Sequence, residues 1–232
     1  MKKLFIPVCC ALLLAVNAAA STNISDDFRD HYTPTSNLSA YNRDINTLLG
    51  LSDFHTGKAT SFPGLDFGGS FSAVKVGKKN NISSEDYLMA GVLRAETYIP
   101  VVGVTVAVRG TGFNGLESIG GGLKYSYDFL EIAHLSVAGF YDRAKTHYYT
   151  LDHYSASAVV SASLPMVTPF VGVGYDYGDF SVRRIDNRST SDGSMRYTAG
   201  VNFHPFPFFH VFGAYTKTSG NQGFNSGIGI AF

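Results

Sequence analysis

From Phe62 to the last residue the chain repeats with a period of two, and no other feature constrains its fold as much. A period of two is the repeat of an extended strand, whose side chains point alternately to opposite faces. Phe224, Ser226, Ile228, Ile230 and Phe232 fall on one face, with Asn225, Gly227, Gly229 and Ala231 on the other. Tyr197, Ala199, Val201 and Phe203 alternate in the same way with Arg196, Thr198, Gly200 and Asn202. Read throughout, the repeat predicts ten strands, at about 64–76, 87–99, 101–113, 118–127, 134–145, 152–164, 168–180, 194–204, 208–218 and 223–232.

Strands of about ten residues have the length that a tilted strand needs to cross a hydrocarbon layer. The links alternate as well. Short ones at Pro100, Asp128 to Ala133, Pro165 to Val167 and Pro205 to Pro207 follow the even-numbered strands, while Gly77 to Asp86, Thr146 to Leu151 and Ser181 to Gly193 are longer and more polar. A membrane barrel with short periplasmic turns and longer outer loops has this phase, and it puts both ends of the barrel on the periplasmic side. A soluble β-sandwich would alternate too, but its polar face would meet bulk water and carry charge. Here that face is small, as in Ser155, Ser157, Ser161 and Ser163, which suits a crowded lumen. The expected fold is therefore an all-β, up-and-down antiparallel transmembrane barrel of about ten strands.

Ahead of the barrel, residues 1 to 20 read as a secretory signal peptide: two lysines, an apolar run from Leu4 to Val16, then Ala18 and Ala20 before Ser21. Cys9 and Cys10 both lie in it, so the mature chain is expected to have no thiol for a disulfide, a zinc site or a nucleophile. Loss of Lys2 and Lys3 takes the basic count from 18 to 16 against 18 acidic residues, near −2, which suggests no nucleic-acid partner. Residues 21 to 61 form a separate N-terminal segment. Leu38, Tyr41, Ile45, Leu48 and Leu49 recur at helical spacing, Ser36 or Asn37 can cap the start, Gly50 can end it, and Asn42, Arg43, Asp44 and Asn46 form the polar side. The barrel proper then occupies residues 62 to 232.

The last strand ends with a polar residue, Asn225, a glycine two later, Gly227, and hydrophobic residues at Ile230 and Phe232. This pattern, with the export signal and the strand plan, resembles bacterial outer-membrane β-barrel proteins and singles out no subfamily. The resemblance implies residence in the outer membrane, contact with its lipid, and recognition of the final strand by the barrel-assembly machinery. It leaves the oligomeric state open.

Candidate chemistry is sparse. Gly110, Gly112 and Gly115 match G-x-G-x-x-G, but LESIGGG follows instead of a helix, so an outer hairpin is the better reading than a nucleotide site. No G-x-S-x-G occurs. Asp142, His147, Asp152 and His153 could polarise a water at the outer rim, as in rim-site outer-membrane proteases, though nothing fixes their spacing. His204 and His210 lack a third ligand, so no metal is expected, nor any cofactor. Phe203, Phe206, Phe208 and Phe209 beside them look like an aromatic girdle.

By parity Arg94, Glu96, Arg109, Lys124, Asp142, Asp176 and Arg196 face the lumen, since a charge at mid-depth in lipid costs roughly 2–4 kcal/mol. Val102, Val104, Val106 and Val108 should meet lipid, with Thr105, Ala107 and Arg109 inside, and Asp176 should pair with Arg196 across adjacent strands. The segment Ser36 to Ser61 is expected to close the periplasmic half of the lumen, its apolar stripe covered by Phe140, Val159 and Phe212. Two functions suit such a chain, both non-enzymatic: a gated channel or binding barrel for a small solute, apolar ones included, or a sealed structural or adhesive barrel acting through its outer loops. A rim protease is a distant third.

Overall fold

The structure is a computed structural model that describes residues 23–57, 64–129 and 132–232; the expected signal peptide lies outside the described residues. Two helices, α1 (Ile24–His31) and α2 (Leu38–Gly50), precede ten strands. These are β1 (Leu65–Lys75), β2 (Tyr87–Ile99), β3 (Val104–Phe113), β4 (Leu116–Asp128), β5 (Ala133–Lys145), β6 (Tyr149–Ala162), β7 (Val167–Val182), β8 (Ser189–Phe206), β9 (Phe209–Thr218) and β10 (Gln222–Ala231). Each strand pairs antiparallel with its chain neighbours, and β1 pairs with β10 to close the barrel. Closure leaves no edge whose backbone groups would go unpaired in lipid.

The predicted facing holds on β3. Thr105, Ala107 and Arg109 are buried, whereas Val108 is exposed. Val102 lies in the turn before β3 rather than on the strand, because Gly103 takes a left-handed conformation there. Outward apolar side chains such as Leu93, Ile119, Leu123 and Val171 form a belt, flanked at one end by Tyr141, Tyr154 and Tyr177 and at the other by Phe206, Phe208 and Phe232. This is the layout of a barrel wall facing lipid between two interfaces.

We call the end where β1 begins and β10 finishes proximal and the other end distal. The turns 100–103, 163–166 and 207–208 are proximal, as are the end of β4 and the start of β5; the links 76–86, 114–115, 146–148, 183–188 and 219–221 are distal. The links 146–148 and 183–188 are shorter than the sequence suggested, because β6 and β8 begin earlier and β7 ends later than expected, whereas 76–86 matches the expected link to within a residue. The link between β3 and β4 shrinks to Asn114 and Gly115, both at positive φ, the geometry of a tight two-residue hairpin. That turn is what the glycine motif becomes.

The N-terminal segment departs most from expectation. Helix α1, which the sequence reading passed over, lies across the distal mouth: Ile24 N–H donates to Asn114 O at 2.8 Å, and Asp27 accepts from the hydroxyls of Ser83 and Ser84 at 2.7 and 2.6 Å. Tyr32 reaches Asp186 at 2.6 Å. Helix α2 then descends from Asn37, whose side chain caps it by accepting from Ala40 N–H at 3.2 Å. Beyond it Asp53 and Phe54 cross the middle, and His55 arrives at the proximal end beside Asp66 at the start of β1. The segment thus enters from the distal mouth and runs through the bore, with its helix in the distal half rather than the expected proximal one.

Candidate functional site

In the bore and its plug, buried charge, buried aromatics and the N-terminal segment converge. The distal half of the bore holds the larger apolar cluster. Ile24, Phe28, Tyr32, Leu38, Tyr41, Ile45, Leu48, Leu49 and Leu51 of the plug form one apolar cluster with Val74, Ile82, Leu88, Leu116, Tyr149, Leu151, Phe180 and Val182 of the wall. Phe28 stacks on Tyr32 at 4.8 Å between centroids and meets Tyr149 edge-on at 5.0 Å; Tyr149 and Phe180 lie 4.5 Å apart. These wall residues, not Phe140, Val159 and Phe212, cover the α2 stripe.

The expected polar side of α2 is buried as well, apart from Arg43, because a helix inside a bore has wall around most of its circumference. Its polar groups therefore need partners within the protein. Asn42 donates to Gly178 O at 2.8 Å, and Asp44 accepts from Gly77 N–H at 3.0 Å, Asn80 at 2.7 Å and Asn221 at 2.5 Å. Burial raises the Asp44 carboxyl above its usual range despite these donors. Wall glycines provide the room: a Cβ on Gly178 would strike Asn46, and one on Gly172 would strike Phe54 at 2.6 Å.

The helix ends where the charges begin. Gly50 adopts no left-handed cap; a Cβ there would collide with Arg196 Nη1 and Asp176 Oδ1, so this glycine is needed for close approach. Asp53, which no local pattern marked, lies between two arginines. Its Oδ1 accepts from Arg109 Nη1 at 2.8 Å, and its Oδ2 accepts from Ser157 Oγ at 2.7 Å and from Arg196 Nη2. Burial alone would raise its carboxyl, but the Arg196 and Arg109 guanidiniums outweigh that and hold it well below the carboxylate range. Arg109 also grips Asp142 with two bonds, Nε to Oδ1 at 2.7 Å and Nη2 to Oδ2 at 2.5 Å, and lies over the Phe140 ring at 4.2 Å.

Around this pair of arginines sits a wider network. His153 bridges Asp142 at 2.9 Å and Asp176 at 3.5 Å, and Asp176 lies 3.2 Å from Arg196 Nη1. The expected Asp176 to Arg196 pair therefore forms, but diagonally: in the register Arg196 faces Gly174 and Asp176 faces Ser194. Nearer the proximal end Glu96 takes Lys124 at 2.9 Å and Arg94 at 3.3 Å, and Arg94 also bonds His55 Nδ1. All of the lumen charges named from parity thus point into the bore, and the structure joins them through plug residues that the sequence reading did not mark, Asp53 and His55. The one signal that could have found these two is that they follow directly on an amphipathic helix with nowhere else to pack.

The candidate rim catalyst does not assemble. Asp142 and His153 are buried in the bore, Asp152 sits on the outer face with Tyr141, and His147 lies in a distal link beside Arg184. His210, expected at headgroup depth, points inward instead. Its ring stacks on His55 at 4.7 Å with an interplanar angle of 7°, and burial lowers His55 to about 3, helped by the Arg94 charge.

No family model matches the chain, and no curated protein matches it. Among solved structures it is similar to an outer-membrane channel from Pseudomonas putida F1 at 9% identity and a TM-score of 0.55, covering 78% of this chain and 100% of that one. It is also similar to the translocator domain of the autotransporter NalP from Neisseria meningitidis, at 12% identity and 0.47, covering 85% and 98%. The N-terminal barrel of OprF from Pseudomonas aeruginosa aligns at 10% identity and 0.41, covering 73% and 97%. Together with the closed ten-stranded sheet, the first of these places the chain in the fold of bacterial outer-membrane β-barrels.

Proposed function

We propose that this protein is a non-enzymatic outer-membrane barrel that its own N-terminal segment keeps closed, acting as a membrane anchor for its distal surface and not as a standing pore. The observation that carries this reading is the apolar cluster between the plug and the distal wall. Each buried side chain of that kind contributes roughly 1.5–3 kcal/mol, so withdrawing the plug forfeits well over about 10 kcal/mol. Since each 1.4 kcal/mol is tenfold, about 10 kcal/mol keeps the open fraction on the order of one in ten million. Gating by withdrawal of α2 would need a ligand that binds the open state more tightly by the same factor. A sealed barrel needs none.

The surface left to act is the distal cap: α1 with the links 76–86 and 183–188. It carries exposed charges of both signs, including Asp26, Arg29 and Asp30. The two longest links, 76–86 and 183–188, are both at the distal end, where outer loops lie in such barrels, so this cap faces the exterior and the barrel's termini the periplasm. Planar-bilayer conductance tests the closure. The intact refolded chain should give no steady conductance, and a variant lacking residues 23–57 should give discrete steps; steady conductance from the intact chain would overturn the reading. A cysteine at Asp30 should react in whole cells with a reagent that cannot cross the outer membrane. If it reacts only after the membrane is opened, the distal surface does not face outward.

A further inference from the structure

At the proximal end the plug brings three metal-ligating side chains together from three distant parts of the chain. His55 comes from the plug, Asp66 from β1 and His210 from β9, and each is buried. Their candidate ligand atoms all lie within 4.8 Å of one another. His55 Nε2 is 3.3 Å from Asp66 Oδ2, and His210 Nε2 is 3.9 Å from it. Bonds of about 2.0–2.1 Å in a tetrahedral site put neighbouring ligand atoms about 3.4 Å apart, so His210 must move inward and its ring, now parallel to that of His55, must turn until both Nε2 lone pairs meet at one point.

Two further observations point to a ligand. Among the described residues, His210 Nε2 and Asp66 Oδ1 are buried without a hydrogen-bond partner, although buried polar atoms are nearly always satisfied. The wall is also trimmed at this spot, since a Cβ on Gly229 would collide with His210 Cε1 and Nε2. We propose that His55, Asp66 and His210 form a binding site for a divalent transition metal of the zinc class. Two imidazoles and one carboxylate suit that class, whereas calcium and magnesium prefer all-oxygen shells. Three protein ligands leave the fourth position to water.

The tautomer of His55 must change for this to happen. Arg94 donates to Nδ1, which leaves the ring proton on Nε2, facing Asp66. Binding moves that proton to Nδ1 and frees Nε2 for the metal, with no net loss of a proton. Arg94 then withdraws toward Glu96, to which its Nε already lies 3.3 Å away. A bound metal would pin the proximal end of the plug to β1 and β9, the strands on either side of β10. His204, whose ring centroid is 6.0 Å from that of His210, stands outside the set.

The test uses the full chain, refolded without an affinity tag and titrated with Co2+ as a spectroscopic substitute for zinc. One equivalent should bind with the visible absorption of a tetrahedral site, and Zn2+ should displace it. His55→Gln and His210→Gln should each weaken binding at least tenfold, and His204→Gln should change it less than twofold, with heat-modifiable migration establishing that each variant is folded. Failure of the intact chain to take up Co2+ tetrahedrally overturns the proposal whatever the variants do. So does unchanged binding in folded His55→Gln or His210→Gln, or loss of the signal in folded His204→Gln alone.

Discussion

The two halves of the bore hold the same plug by different physics. In the distal half α1 and α2 meet the wall through aromatic and aliphatic side chains, with Phe28, Tyr41, Tyr149 and Phe180 in mutual contact. In the proximal half the plug meets the wall mainly through Asp53, His55 and the charges around them, with Phe54 against Phe170 and Val159 as a small apolar island. Apolar contact is non-directional and tolerates small shifts, so it supplies closure. Buried ion pairs gain little net stability, but removing one partner is expensive because the other charge stays buried. The proximal half therefore fixes where the plug sits more than how strongly it is held.

Truncation in the distal half is the strongest test of that contrast. Phe28→Ala should cost about 3–5 kcal/mol, since it removes a fully buried ring that touches Tyr32, Tyr41, Tyr149 and Phe180. The denaturant midpoint of the folded barrel measures it. A loss under about 1 kcal/mol would mean that the distal cluster does not hold the plug.

Next comes Asp53→Asn, which keeps the shape but removes the carboxylate shared by Arg109 and Arg196. Breaking such a pair costs about 3–5 kcal/mol when a charge is stranded, and the lower end applies here because Asp142 and Asp176 still face the arginines. Residues 52–57 should become accessible to cysteine reagents while Tyr41 stays protected. Equal exposure of both regions would show one cooperative plug, not two halves.

Gly50→Ala probes the junction. Its methyl group meets Arg196 and Asp176, so the pair must shift, at about 1–3 kcal/mol for overpacking. Full stability in this variant would mean that the junction is looser than its contacts imply. Ser136→Ala should do least. Its hydroxyl is buried with no partner among the described residues, so removal should be neutral or stabilise by about 1 kcal/mol. A clear loss on thermal denaturation would place Ser136 in the proximal polar network and widen it.

Much of the barrel was legible because its signal is local. Alternation along a strand needs only neighbouring residues, and a charge placed on the lipid face would be costly enough to identify the lumen face, as Arg109 and Lys124 do. Strand ends were less legible where Ser189 to Gly193 carry no apolar alternation yet continue the β7–β8 ladder. There the partner strand, not the residues themselves, supplies the hydrogen bonds that keep the backbone extended.

The candidate site divides along the same line. Parity by itself determined that Arg94, Glu96, Arg109, Lys124, Asp142, Asp176 and Arg196 face inward, and helical spacing determined that Leu38 to Leu49 seek cover. Only the tertiary structure decided that the plug enters from the distal mouth, that Asp53 joins Arg196 across 143 residues of chain, and that His55 reaches Asp66 and His210. The physical reason is that a short polar stretch such as Ser52 to Thr56 has no periodicity to declare its neighbours. Its position follows from the apolar helix before it and the strand after it, which anchor at opposite ends of the bore and leave the stretch between them one path to take.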